Sequence, residues 1–149
     1  METIKFTVLI NANKQKVWDT MLNDKTYRQW TAAFHEGSYF EGTWEQGTEM
    51  RFLGPGEDGK LGGMYSKIKE NRMHEFISIE HLGMIANGVI DTTSDEVKKW
   101  APAFENYTFT EKGNQTEVKV DMQIDANYKA MFEEMWPKAL KALKDLSEE

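Results

Sequence analysis

The chain has 149 residues, 40% hydrophobic and 29% charged, which is the make-up of one globular domain with its own core. It has no cysteine, which excludes disulfides and thiolate chemistry, and no stretch near the ~18 apolar residues of a membrane-crossing helix. A net charge of -7, with basic residues interspersed among acids as in "KIKENR", argues against nucleic acid or an anionic membrane as partner. The start, "METIKFTVLI", lacks the basic and apolar regions of an export signal, so a cytoplasmic location is expected.

In chain order, "TIKFTVLI" puts Ile4, Phe6, Val8 and Ile10 on one face of a strand. Asn11 or Asn13 then caps a helix carrying Val17 and Met21 at helical spacing, and Asp24 caps a second short helix ending at Trp30. From about Ser38 the pattern is strand-like: "SYFEGTW" and "TEMRFLG" flank the turn "EQG". The glycine-rich "LGPGEDGKLGG" reads as a mobile hairpin loop; it lacks the Gly-Lys-Ser/Thr ending of a phosphate-binding loop. "GMYSKIKE" and "HEFISIEHLG" follow as strands with a turn expected at "NR", and Asn87-Gly88 is a strong turn dipeptide. "SDEVKKW" is a short capped helix. "FENYTFTE" and "TEVKVDMQID" form a hairpin about "KGNQ", with Val118, Val120, Met122 and Ile124 on the dry face.

A final helix runs from Ala126 or Asn127 to about Leu146, with apolar residues at helical periodicity. Pro137 removes a donor from its interior and crowds the carbonyl of Glu133, so a kink or break is expected there. The residues before it, Phe132, Met135 and Trp136, are bulky enough to wall a gap, and the smaller ones after it suit close packing. One strand, two short helices, a run of strands and one long helix imply an α+β fold with one dry sheet face under the last helix.

This order resembles the START-like, or helix-grip (SRPBCC), superfamily, and the wording is most similar to the heat-shock-protein ATPase activator homologues within it. "KVWDTMLND" and "YRQW" resemble that family's opening helices, "YTFTEKGNQTEVKV" its penultimate hairpin, and "MWPKALKALKDL" its C-terminal helix. The resemblance spans essentially the whole chain, residues 1–149, as one START-like domain. It implies a curved antiparallel sheet of about six to seven strands wrapped around the long C-terminal helix, with a cavity between them for a small, largely apolar molecule. It also makes a chaperone partner a candidate.

The expected pocket lining is Trp30, Phe40, Phe52, Met64, Ser66, Phe76, Ser78, Glu80, Trp100, Phe132, Met135 and Trp136, an aromatic and methionine set with a few polar groups. Two phases of the 74–82 strand remain open. If Phe76 and Leu82 face inward, so do Ser78 and Glu80, and Glu80 becomes a candidate general acid or base. In the opposite phase Ile77, Ile79 and His81 face inward. His74 and His81, seven residues apart on one strand, point to opposite faces and cannot share a metal ion, and His35 has no companion. No cofactor or metal is expected. The leading expectation is therefore a small-molecule binding protein; the alternatives are a cyclase, dehydratase or isomerase using the same pocket, and an interaction module related to chaperone activators.

Overall fold

The computed structural model describes residues 1–56 and 58–149. Its strands are β1 (Glu2–Ile10), β2 (Tyr39–Glu41), β3 (Glu49–Pro55), β4 (Leu61–Arg72), β5 (Phe76–Ala86), β6 (Val89–Asp91), β7 (Ala103–Lys112) and β8 (Gln115–Ile124). They form one antiparallel sheet in the order β1-β8-β7-β5-β4-β3-β2, with β6 paired to the end of β5. The helices are α1 (Lys14–Leu22), α2 (Asp24–Trp30), α3 (Asp95–Lys98) and α4 (Lys129–Ser147). This is the α+β helix-grip arrangement, with eight strands among the described residues against the six or seven expected.

Local chemistry explains most boundaries. The Asn13 side chain accepts from the Lys16 N–H and caps α1. Asn23, one residue before the expected Asp24, accepts from the Lys25 N–H and caps α2. Ser94 caps α3. Asn87 and Gly88 both have positive φ, 52° and 78°, which a two-residue type I′ hairpin demands. The β4–β5 turn falls at Met73–Glu75, later than the expected "NR": His74 takes the left-handed conformation there at φ 65°, and Asn71 and Arg72 stay paired in β4. Glu57, in the glycine-rich connection, lies outside the described residues.

The dry face of the sheet is built in cross-strand rows. One row is Ile4, Met122, Glu105, Ile79 and Ile68, and the next is Phe6, Val120, Tyr107, Ile77 and Asn71. α4 packs on β1, α1 and α2 and covers this face from one side. The helix runs unbroken from Lys129 to Ser147 with Pro137 inside it, so the break expected there is absent. Pro137 is on the exposed side, where water can take the place of the missing donor at the Glu133 carbonyl.

Burial along α4 is uneven. Its fully buried residues are Trp136, Ala139, Leu140, Leu143 and Ser147, all at or beyond Trp136. In the first seven positions Phe132 and Met135 are half-buried and Met131 is 40% exposed. Tyr128, just ahead of the helix, offers no side-chain cap. The first two turns therefore rest on the body with little burial behind them, which makes local opening inexpensive.

Candidate functional site: a buried polar chain on the inner face of the sheet

Three adjacent strands bring Ser66 (β4), His81 (β5) and Glu105 (β7) together on the dry face. Ser66 pairs across with His81, and Glu105 sits one row further in, opposite Ile79. The Ser66 hydroxyl lies 2.6 Å from His81 Nδ1, and His81 Nε2 lies 3.0 Å from Glu105 Oε1. The Tyr107 hydroxyl donates to the other Glu105 oxygen. Glu105 accepts from both neighbours, so Nε2 carries the imidazole proton; in the neutral ring Nδ1 then accepts from Ser66.

This chain is enclosed: Ser66 is fully buried, His81 is 8% exposed and the Glu105 side chain 14%. Burial, with the negative charge of Glu105 beside it, pushes the Tyr107 hydroxyl well above its ordinary pKa. Tyr27, on α2, is raised for the same two reasons. Both phenols stay protonated at neutral pH, as donors in a region where an added anion would be costly.

Around the chain stands an aromatic shell. Trp136 has ring centroids of Phe34 at 4.7 Å, Trp30 at 6.1 Å, and Phe6 and Tyr107 both at 6.2 Å. Phe132 leans on Phe34 at 6.4 Å. Tyr27 contacts Phe40 at 4.9 Å and Phe52 at 6.4 Å, and Phe52 meets the His81 ring at 6.0 Å. Rings thus occupy the space beneath the first half of α4. Two open hollows are elsewhere, one of about 230 Å³ beside β1 and Pro137, the other of about 390 Å³ beside α1.

Toward the β3–β5 end the shell thins. The row beyond Ser66 and His81 is Phe52, Met64 and Met84; the first two are half-buried and Met84 is 42% exposed. β5 changes partner here, from β7 up to His81 to β6 from Met84. Gly63 permits the close strand approach that sets this row: its φ is 155°, and a Cβ there would lie 1.8 Å from the Phe52 carbonyl oxygen.

The expected pocket residues divide accordingly. Trp30, Phe40, Phe52, Met64, Ser66, Phe132 and Trp136 converge on the inner face or its shell, and Met135 is half-buried on α4. The strand takes the phase with Ile77, Ile79 and His81 inward. Phe76, Ser78 and Glu80 lie on the other face, where Glu80 pairs with Lys67 and the Arg72 guanidinium covers Phe76. Trp100 follows α3, half-buried and outside the main core cluster. A bulge at Leu82, opposite Tyr65 and Ser66, shifts the register, so Met84 rather than Gly83 continues the inner face after His81. His74 sits in the turn, its ring edge-on to Trp18 at 5.9 Å.

Sequence reasoning passed over Glu105 and Tyr107, yet a signal was present. In "FENYTFTE" the alternation of Tyr107 with Phe109 at period two marks that face as the dry one and carries Glu105 with it.

No protein-family model matches the chain, and no curated protein matches it in sequence. Its fold is shared with solved structures of low identity. The Mll3558 protein from Rhizobium loti matches with a TM-score of 0.73 at 14% identity, over 97% of this chain and 96% of that one. The Aha1 dimer from Colwellia psychrerythraea gives 0.72 at 16% identity, over 99% and 97%. An uncharacterized protein from Rhizobium leguminosarum gives 0.71 at 13% identity, over 99% and 95%. These likenesses establish the fold alone.

Proposed function

We propose that the protein binds a small hydrophobic or amphipathic molecule on the inner face of the sheet, beneath the first half of α4. The observation that carries this reading is the half-open apolar row Phe52–Met64–Met84, which leads directly to the buried chain Ser66–His81–Glu105. A solid core needs neither feature. Polar groups in an apolar interior are costly unless satisfied, and an apolar edge left uncovered forfeits burial. Together they form the outline of a ligand site, mostly apolar with a few convergent polar groups.

Binding proceeds by displacement. The incoming molecule slides over Met64 and Met84, lifts the lightly buried Phe132 and Met135 with their helix turns, and covers Phe52. Apolar burial supplies about 25 cal/mol per Å² before the costs of association and of moving the rings. The polar end of the ligand is oriented by Ser66 and His81, whose hydrogen bond can be exchanged for one to the ligand. Any proton transfer in such a pocket falls to His81 and Glu105; Glu80 faces away. A cytoplasmic location accords with this role.

Native mass spectrometry of freshly purified protein tests the reading. A co-purified small molecule is expected, lost when the entrance is filled in the Met64→Trp, Met84→Trp double variant. A ligand retained equally by that variant would place binding elsewhere and defeat the proposal.

A second reading rests on the β5–β6 hairpin, where Met84, Val89 and Ile90 are 42%, 67% and 37% exposed. Such an exposed apolar tip suits a protein partner, and the Aha1 likeness makes a chaperone ATPase the partner to try. Pull-down by wild-type protein but not by a Val89→Glu, Ile90→Glu variant would support it.

A further inference from the structure

The hollow of about 390 Å³ lies between the α1–α2 junction, the turn after β2 and the β4–β5 turn, and its size is within the ~300–1,000 Å³ range of small-molecule sites. Trp44 lines it under two local penalties. Its φ is 67°, a left-handed conformation that is costly for a bulky side chain, and its indole Nε1 is buried without a hydrogen-bond partner. Asn71 holds it there: Nδ2 donates to the Trp44 carbonyl at 2.8 Å, while the Asn71 N–H donates to Gln46 Oε1 at 3.2 Å. Strain maintained by surrounding structure on the wall of a hollow is a pointer to function.

The polar lining is asymmetric. Asn23 is committed to capping α2, Thr43 bonds the Glu45 N–H and the Thr48 hydroxyl, and Asn71 secures Trp44. Asp19 and Glu45 remain. Among the described residues neither carboxylate has a cationic partner, although Glu75, Asp24, Glu41 and Glu70 nearby all do. No Lys or Arg lines the hollow. Two uncommitted carboxylates and two indoles, Trp18 and Trp44, therefore face one concavity with Leu22 and Met73 as its apolar remainder.

We propose that this hollow is a binding site for a small organic cation, an alkyl- or quaternary ammonium with a short apolar chain. Asp19 and Glu45 supply the opposite charge, the indole π systems attract the cation, and Leu22 and Met73 receive the chain. The site is separate from the inner face and stands whether or not that face binds a ligand.

The test is a titration of the intact protein with choline chloride, followed by the indole N–H resonances in ¹H–¹⁵N spectra at fixed ionic strength. The uncharged isostere 3,3-dimethylbutan-1-ol and a short lysine-containing peptide serve as comparisons. Saturable shifts at Trp18 and Trp44 are expected, with choline binding roughly tenfold or more tighter than the isostere. An Asp19→Asn, Glu45→Gln variant should lose that preference while its remaining spectrum is unchanged. Absence of saturable shifts at these two indoles, equal binding of the isostere, or an unaffected double variant would overturn the assignment. So would tighter binding of the lysine peptide, which would place the cation on a macromolecular partner.

Discussion

His81 and Glu105 lie on neighbouring strands but in different rows of the inner face, and the 3.0 Å contact between His81 Nε2 and Glu105 Oε1 crosses that diagonal. It ties the half-open Met64–Met84 end of the sheet to the enclosed Tyr107 end. Removing one member leaves the others buried without a partner, which costs about 1–3 kcal/mol per group, whereas a neutral isostere keeps most of the geometry. Glu105→Leu is therefore expected to lower stability by about 2–4 kcal/mol, and Glu105→Gln by about half as much. Urea unfolding of the two variants checks the order; equal losses would show that the chain is not acting as a connected unit.

The two buried tyrosines set an alkaline limit. Burial and Glu105 raise the pKa of Tyr27 and Tyr107 above the ordinary 10.0 in the folded state, while the unfolded chain keeps the ordinary value. Below pH ~10 both states hold both protons and the contribution is fully present. Above it the unfolded state releases protons that the folded state retains, so stability falls as pH rises. The expected slope approaches about 2.7 kcal/mol per pH unit for two phenols, and the Tyr27→Phe, Tyr107→Phe variant should show a much flatter dependence. Denaturant midpoints measured on either side of pH ~10 provide the comparison.

Pro137 weakens the helix at the boundary between its lightly buried and well-buried parts. Pro137→Ala restores a donor to the Glu133 carbonyl at an exposed position and is expected to stabilise the protein by about 1–3 kcal/mol. Because it stiffens the turns that must lift, it should also slow association of any inner-face ligand. Thermal unfolding and stopped-flow binding read the two effects separately. A variant no more stable than wild type would mean that the proline fits the helix without penalty.

Much of the architecture is legible in local patterns. Period-two alternation in β1 and β8, the Asn87-Gly88 turn and the helical stripe after Pro137 each report a local preference that the tertiary structure keeps. The site is less legible, because its geometry depends on register. The strand 76–82 has apolar residues in both phases, and only pairing with Ile68 and Glu105 determines that Ile79 and His81 are the inner ones. The bulge beside Ser66, which admits Met84 to the inner row, leaves no mark in residue type. Likewise Trp136 reads equally as cavity wall or core filler; its 2% exposure among Trp30, Phe34, Phe6 and Tyr107 identifies it as filler.

The central claim is that a ligand enters over Met64 and Met84 and stops at the His81 chain. The most direct measurement uses protein labelled at its methionine methyl groups, titrated with the apolar fluorophore 8-anilinonaphthalene-1-sulfonate and observed by ¹H–¹³C correlation. The expected result is saturable shifts at Met64, Met84 and Met135, with Met1 and Met73 unmoved, and roughly tenfold weaker binding to a His81→Ala variant. Shifts confined to exposed methionines, or none that saturate, would contradict the account.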